Sequence, residues 1–297
     1  MNFRKCENDT NNDQENNIEG VSALPGPSRN DMTSNAATLQ LLPTINYSAY
    51  YNMSHSKRGI ALIFVIEDSV VTRYFNYYGL TKNLDYIKLR NTLRQLEFDV
   101  RSYNCNDEDI IKILEAVANE DHSENDCLMT VMLYYGTCEY LCSRNTYYNS
   151  CKVEPFYNHF TADKCPTLAG KPKLFFIQIC QLGKHNEMFY PLELISSGFS
   201  NTFRIEVDFL FVYTFVIDCP SWITTRHTYF IEGLCYQLSV NRNRCDLLTL
   251  LTFVCEYVTK FIKFSTVLKP CVIVKEKIPY IISMLTRLVQ FTPKILE

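Results

Sequence analysis

The sequence lacks any apolar run near the roughly 20 residues that span a bilayer. Its longest such runs, at residues 60–66 and 209–217, are far shorter. No secretory signal is expected, because the start, MNFRKCENDTNNDQENN, is polar and acidic rather than basic and then apolar. Charge of one sign is not in excess: 29 Lys and Arg face 32 Asp and Glu, a net charge of −3 spread through the chain. That balance gives no electrostatic footprint for nucleic acid or an anionic membrane. Thirteen cysteines are present, but the number is odd and no C-x-x-C pair is answered by another or by a histidine pair. Reduced thiols follow, with Cys138 and Cys142 as strand-end or loop thiols, rather than a disulfide scaffold or a metal site. Internal repeats are absent too. The expectation is a soluble, cytoplasmic chain with no metal, no cofactor, no nucleic-acid partner and no membrane partner.

What is present is apolar bulk: 297 residues at 47% hydrophobic and 13% aromatic, enough for one large α/β domain or two small ones. Residues 1–46 are rich in Asn, Asp, Ser and Pro without a sustained apolar period, and are expected to form a disordered leader without a helical recruitment domain. From Arg58 the pattern alternates. GIALIFVI reads as a strand buried on both faces, and Leu84, Ile87, Leu89, Leu93 and Leu96 follow at helical spacing. FDVRSY from Phe98 returns to strand alternation. Residues 106–118 read as a helix capped by Asn106 or Asp107, CLMTVMLYY (127–135) as a third strand, and PKLFFIQI (172–179) as a fourth. Such alternation implies a parallel sheet with helices on both faces. Residues 181–204 form a long connection without a period. VDFLFVYTFV, helices near 229–238 and 247–261, and the strand IPYIISML from Ile278 complete the chain.

Residues 163–180, DKCPTLAGKPKLFFIQIC, closely resemble the caspase segment that carries the catalytic cysteine. SKRGIALI, LRNTLRQLEFDV from Leu89, EDHSENDC from Glu120, EVDFLFVYT from Glu206 and IPYIISMLT support the resemblance, which covers about residues 47–291. It implies an α/β caspase-like three-layer sandwich with a central, mostly parallel six-stranded sheet. The implied organisation is the leader at 1–46, a large-subunit-like region at 47–180, the connection at 181–204, and a small-subunit-like region at 205–297.

The caspase signature is Q-A-C, then Arg, Gln or Gly, then Gly, with a histidine about 50 residues upstream. Here the string is Gln178, Ile179, Cys180, Gln181, Leu182, Gly183, with Ile for the small Ala and one extra residue before Gly. The resemblance puts Cys180 at the nucleophile position and Tyr135-Gly136 where the family has His-Gly. Gly136 keeps the position whose backbone N–H helps form the oxyanion hole. Of the other histidines, His122 belongs to the opposite end of its strand, His159 and His227 match no role, and His185 is the one candidate substitute.

The implied pocket for a substrate aspartate is degenerate. The family uses two arginines and a glutamine, because bidentate guanidinium contacts compensate a buried carboxylate. Gln178 matches the glutamine, Gly79 and Ile223 stand at the arginine positions, and Ser221 and Trp222 border the second; Arg73 or Arg226 refill the pocket only if the loops shift. No aspartate occurs between Asp163 and Asp208, so the connection should stay uncut.

Two readings of Cys180 remain open, core packing and a reactive thiol. The resemblance implies that the uncharged strand at residues 278–285 pairs with a second copy or with an active caspase, against the plainer reading of a strand buried in its own subunit. The functional expectation is a pseudo-caspase that modulates caspase activity by dimerising. A cysteine endopeptidase of weak or altered specificity is the alternative, and a duplicate without selected function the plainest reading.

Overall fold

Every residue of β1 from Arg58 to Ile66 is buried, because this strand (Lys57–Glu67, KRGIALIFVIE) has neighbours on both edges and helices on both faces. The structure, a computed structural model, describes residues 48–67, 83–104, 107–137, 154–182, 207–217, 227–268 and 275–294. The expected leader therefore lies outside the described residues, as do Asn106 and positions 183–204 of the connection.

After β1 come α1 (Leu84–Gln95), β2 (Asp99–Asn104), α2 (Asp107–Ala118) and β3 (Asn125–Thr137). The one-turn helix α3 (Glu154–Tyr157) and two 3-10 turns lead into β4 (Lys173–Leu182) and β5 (Phe209–Ile217). Helices α4 (Tyr229–Asn241) and α5 (Leu247–Leu268) and the short strands β6 (Lys275–Glu276) and β7 (Tyr280–Ser283) follow.

The sheet order is β2-β1-β3-β4-β5, all parallel, with β6 and β7 both antiparallel on the free edge of β5. Six positions result, the sixth shared by two short pieces. Because β4 and β5 pair directly, the regions on either side of the connection share one sheet.

Alternation along the strands sends side chains to two cores. Ile63, Val131, Leu133, Phe176 and Val212 meet Leu89 and Leu93 of α1, Leu234 and Leu238 of α4, and Val254 of α5. Leu62, Phe64, Met132, Phe175 and Phe211 meet Ile110 and Leu114 of α2 and Phe156 of α3. The three-layer expectation holds. Gly59 is required where β1 runs against β3: its φ is +119°, and a Cβ there would stand 1.9 Å from the Cys127 carbonyl oxygen.

The strand expected from Ile278 is shorter. Pro279 has no N–H to donate, so regular pairing starts at Tyr280, and Ile278 is left 49% exposed. The fifth strand also starts later than expected, because Val207 and Asp208 form a turn with Asp208 at φ 72°. β6 is not legible in the sequence, since two residues carry no period.

Candidate active site

Tyr135 and Cys180 are direct neighbours in register across β3 and β4, near the carboxyl ends of the strands. Open α/β sheets form their ligand crevices beyond these ends. The sequence reading ended the two strands at Tyr135 and Ile179, which leaves Cys180 just past its strand. The structure corrects this: the ladder continues through Gly136–Gln181 and Thr137–Leu182, so both lie inside the sheet, facing the α1 and α4 side. Each is 0% exposed.

The Tyr135 hydroxyl donates to Asn83 Oδ1 at 3.3 Å. Asn83 is the N-cap of α1, and the same oxygen accepts from the Tyr86 N–H at 3.1 Å. The phenol is thus held by the cap of the neighbouring helix.

Gln178 points to the same face and is only 1% exposed. Its Nε2 donates to Asp85 Oδ2 at 3.1 Å and to Cys180 Sγ at 3.5 Å, while its Oε1 accepts from Thr228 Oγ1 at 2.9 Å. Asp85 is 3% exposed, and its Oδ1 accepts from the Thr228 N–H at 2.9 Å. A buried carboxylate is tolerated here because it sits in the first turn of α1 and at the start of α4, where two helix dipoles present their positive ends.

The start of α4 is closed by the chain itself. Glu276 of β6 accepts from the Tyr229 N–H at 3.0 Å and the Phe230 N–H at 2.6 Å, and Thr228 Oγ1 accepts from the Ile231 N–H at 3.3 Å. Together with the Thr228–Asp85 bond, these occupy the N–H groups that a helix start would otherwise offer to an incoming anion. Burial pushes the Glu276 carboxyl up to about 8, outweighing the two backbone donors that favour its charged form.

Of the sequence-derived site residues, Tyr135, Gly136, Gln178 and Cys180 are brought together. Gly79, Ser221, Trp222, Ile223 and His185 lie outside the described residues, as do Arg73 and Arg226. His122 stands at the opposite end of β3, as expected, fully buried with Nε2 at 2.8 Å from the Val117 carbonyl and Nδ1 at 2.9 Å from Asn125 Nδ2.

Sequence reasoning missed Asn83, Asp85, Thr228 and Glu276, and it gave His227 no role. The Nδ1 of His227 is 3.7 Å from Asp85 Oδ1. An Asn or Asp opening an apolar helix is a legible cap signal, but its second partner comes from a distant segment. Among the described residues no three His, Cys, Asp or Glu side chains stand together as metal ligands. No described helix is long and apolar enough to cross a membrane.

Comparison with known proteins gives one consistent result. A caspase domain profile matches residues 58–290. The chain is 38% identical over 259 residues to Caspase drICE of Drosophila melanogaster, covering 84% of this chain and 75% of that protein. It is 37% identical over 262 residues to Caspase-1 of Spodoptera frugiperda, covering 85% of each. The crystal structure of Caspase-1 from Spodoptera frugiperda matches with a TM-score of 0.58 at 32% identity, over 85% of this chain and 97% of that one.

Proposed function

The chain belongs to the caspase family, and from that premise we propose that it is a non-proteolytic member that dimerises with active caspases and changes their rate. The setting of this reading is apoptosis or related signalling in the cytoplasm. The observation that carries it is the buried pair Tyr135–Cys180. A phenol with an ordinary pKa of about 10 is neutral near pH 7, a poor base, and no source of the imidazolium that stabilises a thiolate.

The pocket supports the same reading. Gln178 commits its carboxamide to Asp85, Thr228 and Cys180. With Gly79 and Ile223 at the arginine positions, a substrate carboxylate would lose its hydration without a cationic partner, at a cost of roughly several kcal/mol.

The surface that supports pairing is the β7 edge, in a homodimer or a heterodimer. β7 pairs β5 on one side, and among the described residues no strand pairs the other. Its residues Tyr280, Ile281 and Ile282 carry no charge to block a second strand. The test is co-purification with an active caspase, with the partner's rate measured. An Ile282→Asp change should abolish both effects while the variant's own Tm is followed, because Ile282 also packs on the core below. An unchanged partner rate and mass profile at micromolar concentrations overturns the proposal.

A second reading, a cysteine endopeptidase of weak or altered specificity using Cys180, is favoured by one observation. His227 stands beside Asp85, which Gln178 links to the thiol. Loss of a general acid-base group typically lowers rates 10²–10⁴-fold without abolishing them. Cleavage that depends on both Cys180 and His227 would favour this reading.

A further inference from the structure

Asp85 joins three elements where they meet over Cys180. It lies in the first turn of α1, takes an N–H from the side chain of Gln178 on β4, and takes the backbone N–H of Thr228 at the start of α4. We infer that Asp85 is a positioning residue that holds the Cys180 thiol shut, by fixing the Gln178 carboxamide over the sulfur and pinning the start of α4 against it. The inference rests on the reading that Cys180 is not a working nucleophile, and it names what keeps that thiol silent.

The donor and acceptor pattern supports a lock rather than a single contact. Gln178 Nε2 has two hydrogens; one goes to Asp85 Oδ2 and the other to Cys180 Sγ. Its oxygen is held by Thr228 Oγ1, and the Thr228 N–H returns to the other oxygen of Asp85. The ring closes only if residue 85 accepts with both oxygens. All four residues are buried, Thr228 and Cys180 completely. Opening the site therefore exposes a carboxylate and a carboxamide together, and hydrogen bonds to a charged acceptor are the stronger kind.

Asparagine at position 85 has the same shape but one acceptor and one donor group. An Asp85→Asn change sets its NH2 against the NH2 of Gln178 or against the Thr228 N–H. Adding Gln178→Glu reverses the polarity across the ring, so that a carboxamide at position 85 donates to a carboxylate at position 178, and that carboxylate accepts the Cys180 S–H in place of the N–H the sulfur loses.

The test is the alkylation rate of Cys180 by iodoacetamide in the folded, full-length chain, read by peptide mass mapping. Cys127 serves as the internal reference, since it is fully buried at the amino end of β3 and outside the ring. Labelling of a buried thiol follows local opening. Loss of one charge-assisted bond should speed Cys180 by roughly 10- to 100-fold in Asp85→Asn, leave Cys127 unchanged, and return toward wild type in the double variant. A Cys180 rate within about twofold of wild type overturns the lock, because local opening is then unchanged. Cys127 rising in step overturns it as well, because the change is then global. Wild-type cleavage through Cys180 with faster labelling in Asp85→Asn would contradict the functional reading and keep the lock. An altered partner rate beside unchanged labelling would do the reverse.

Discussion

Tyr135 and Cys180 face the same side of the sheet as register partners on β3 and β4, and the Tyr135 hydroxyl is turned to Asn83 on α1. Tyr135 is therefore built into a helix cap. Restoring the imidazole alone should not restore chemistry. A Tyr135→His variant should show no more hydrolysis of aspartate peptides than the same variant carrying Cys180→Ala, because on the proposed reading Gly79 and Ile223 stand where the pocket would need arginines. It should also unfold more easily, by roughly 1–3 kcal/mol in urea, since a smaller ring leaves a void in a packed site. Aspartate-specific turnover on this one change would place the whole loss at Tyr135.

Glu276 gives stability a pH dependence of definite sign. Its carboxyl titrates near 8 in the folded chain against an ordinary 4.5. Between those values the folded state binds a proton that the unfolded state has lost. Its contribution is thus fully present below about pH 4.5 and falls away as pH rises toward 8. The slope is at most about 1.4 kcal/mol per pH unit. Chemical denaturation from pH 5 to 9 should show this decline in the wild type and a flatter profile in Glu276→Gln.

At the other end of the sheet, Arg58 Nη1 donates to Asp126 Oδ2 at 2.9 Å, with both side chains almost fully buried. Lys294 also pairs with Asp126, and Arg58 donates to the Thr292 carbonyl, which ties the tail to β1 and β3. Asp126→Asn should cost about 3–5 kcal/mol, because it strands buried cations. The half-exposed Arg101, paired with Glu120 and Asp99, should lose less than about 1 kcal/mol on change to Ala. Parallel urea titrations compare the two.

The connection after β4 contains no aspartate up to Asp208. Incubation with an active initiator or executioner caspase should leave the chain whole there, as read on a denaturing gel with mass mapping. Fragments ending within residues 183–204 would contradict this.

The parallel sheet was legible because GIALIFVI, CLMTVMLYY and PKLFFIQI are strands buried on both faces, whose apolar runs do not depend on partners. Their ends were not. Nothing local marks that the β3–β4 ladder runs past Tyr135 and Cys180, so the strands were read as ending at Tyr135 and Ile179 and the burial of Cys180 stayed open. Gln178, Cys180 and Tyr135 could be found from the resemblance, whereas Asp85, Thr228 and Glu276 could not. Their roles exist only where the starts of α1 and α4 and the two-residue β6 meet, across 143 residues for the Asp85–Thr228 bond.

The central claim, that the chain does not cut peptides through Cys180, is tested most directly by a peptide-library assay of wild type against Cys180→Ala at equal concentration. The account predicts the same cleavage profile for both, at background. Cleavage present in the wild type and lost in Cys180→Ala would contradict it.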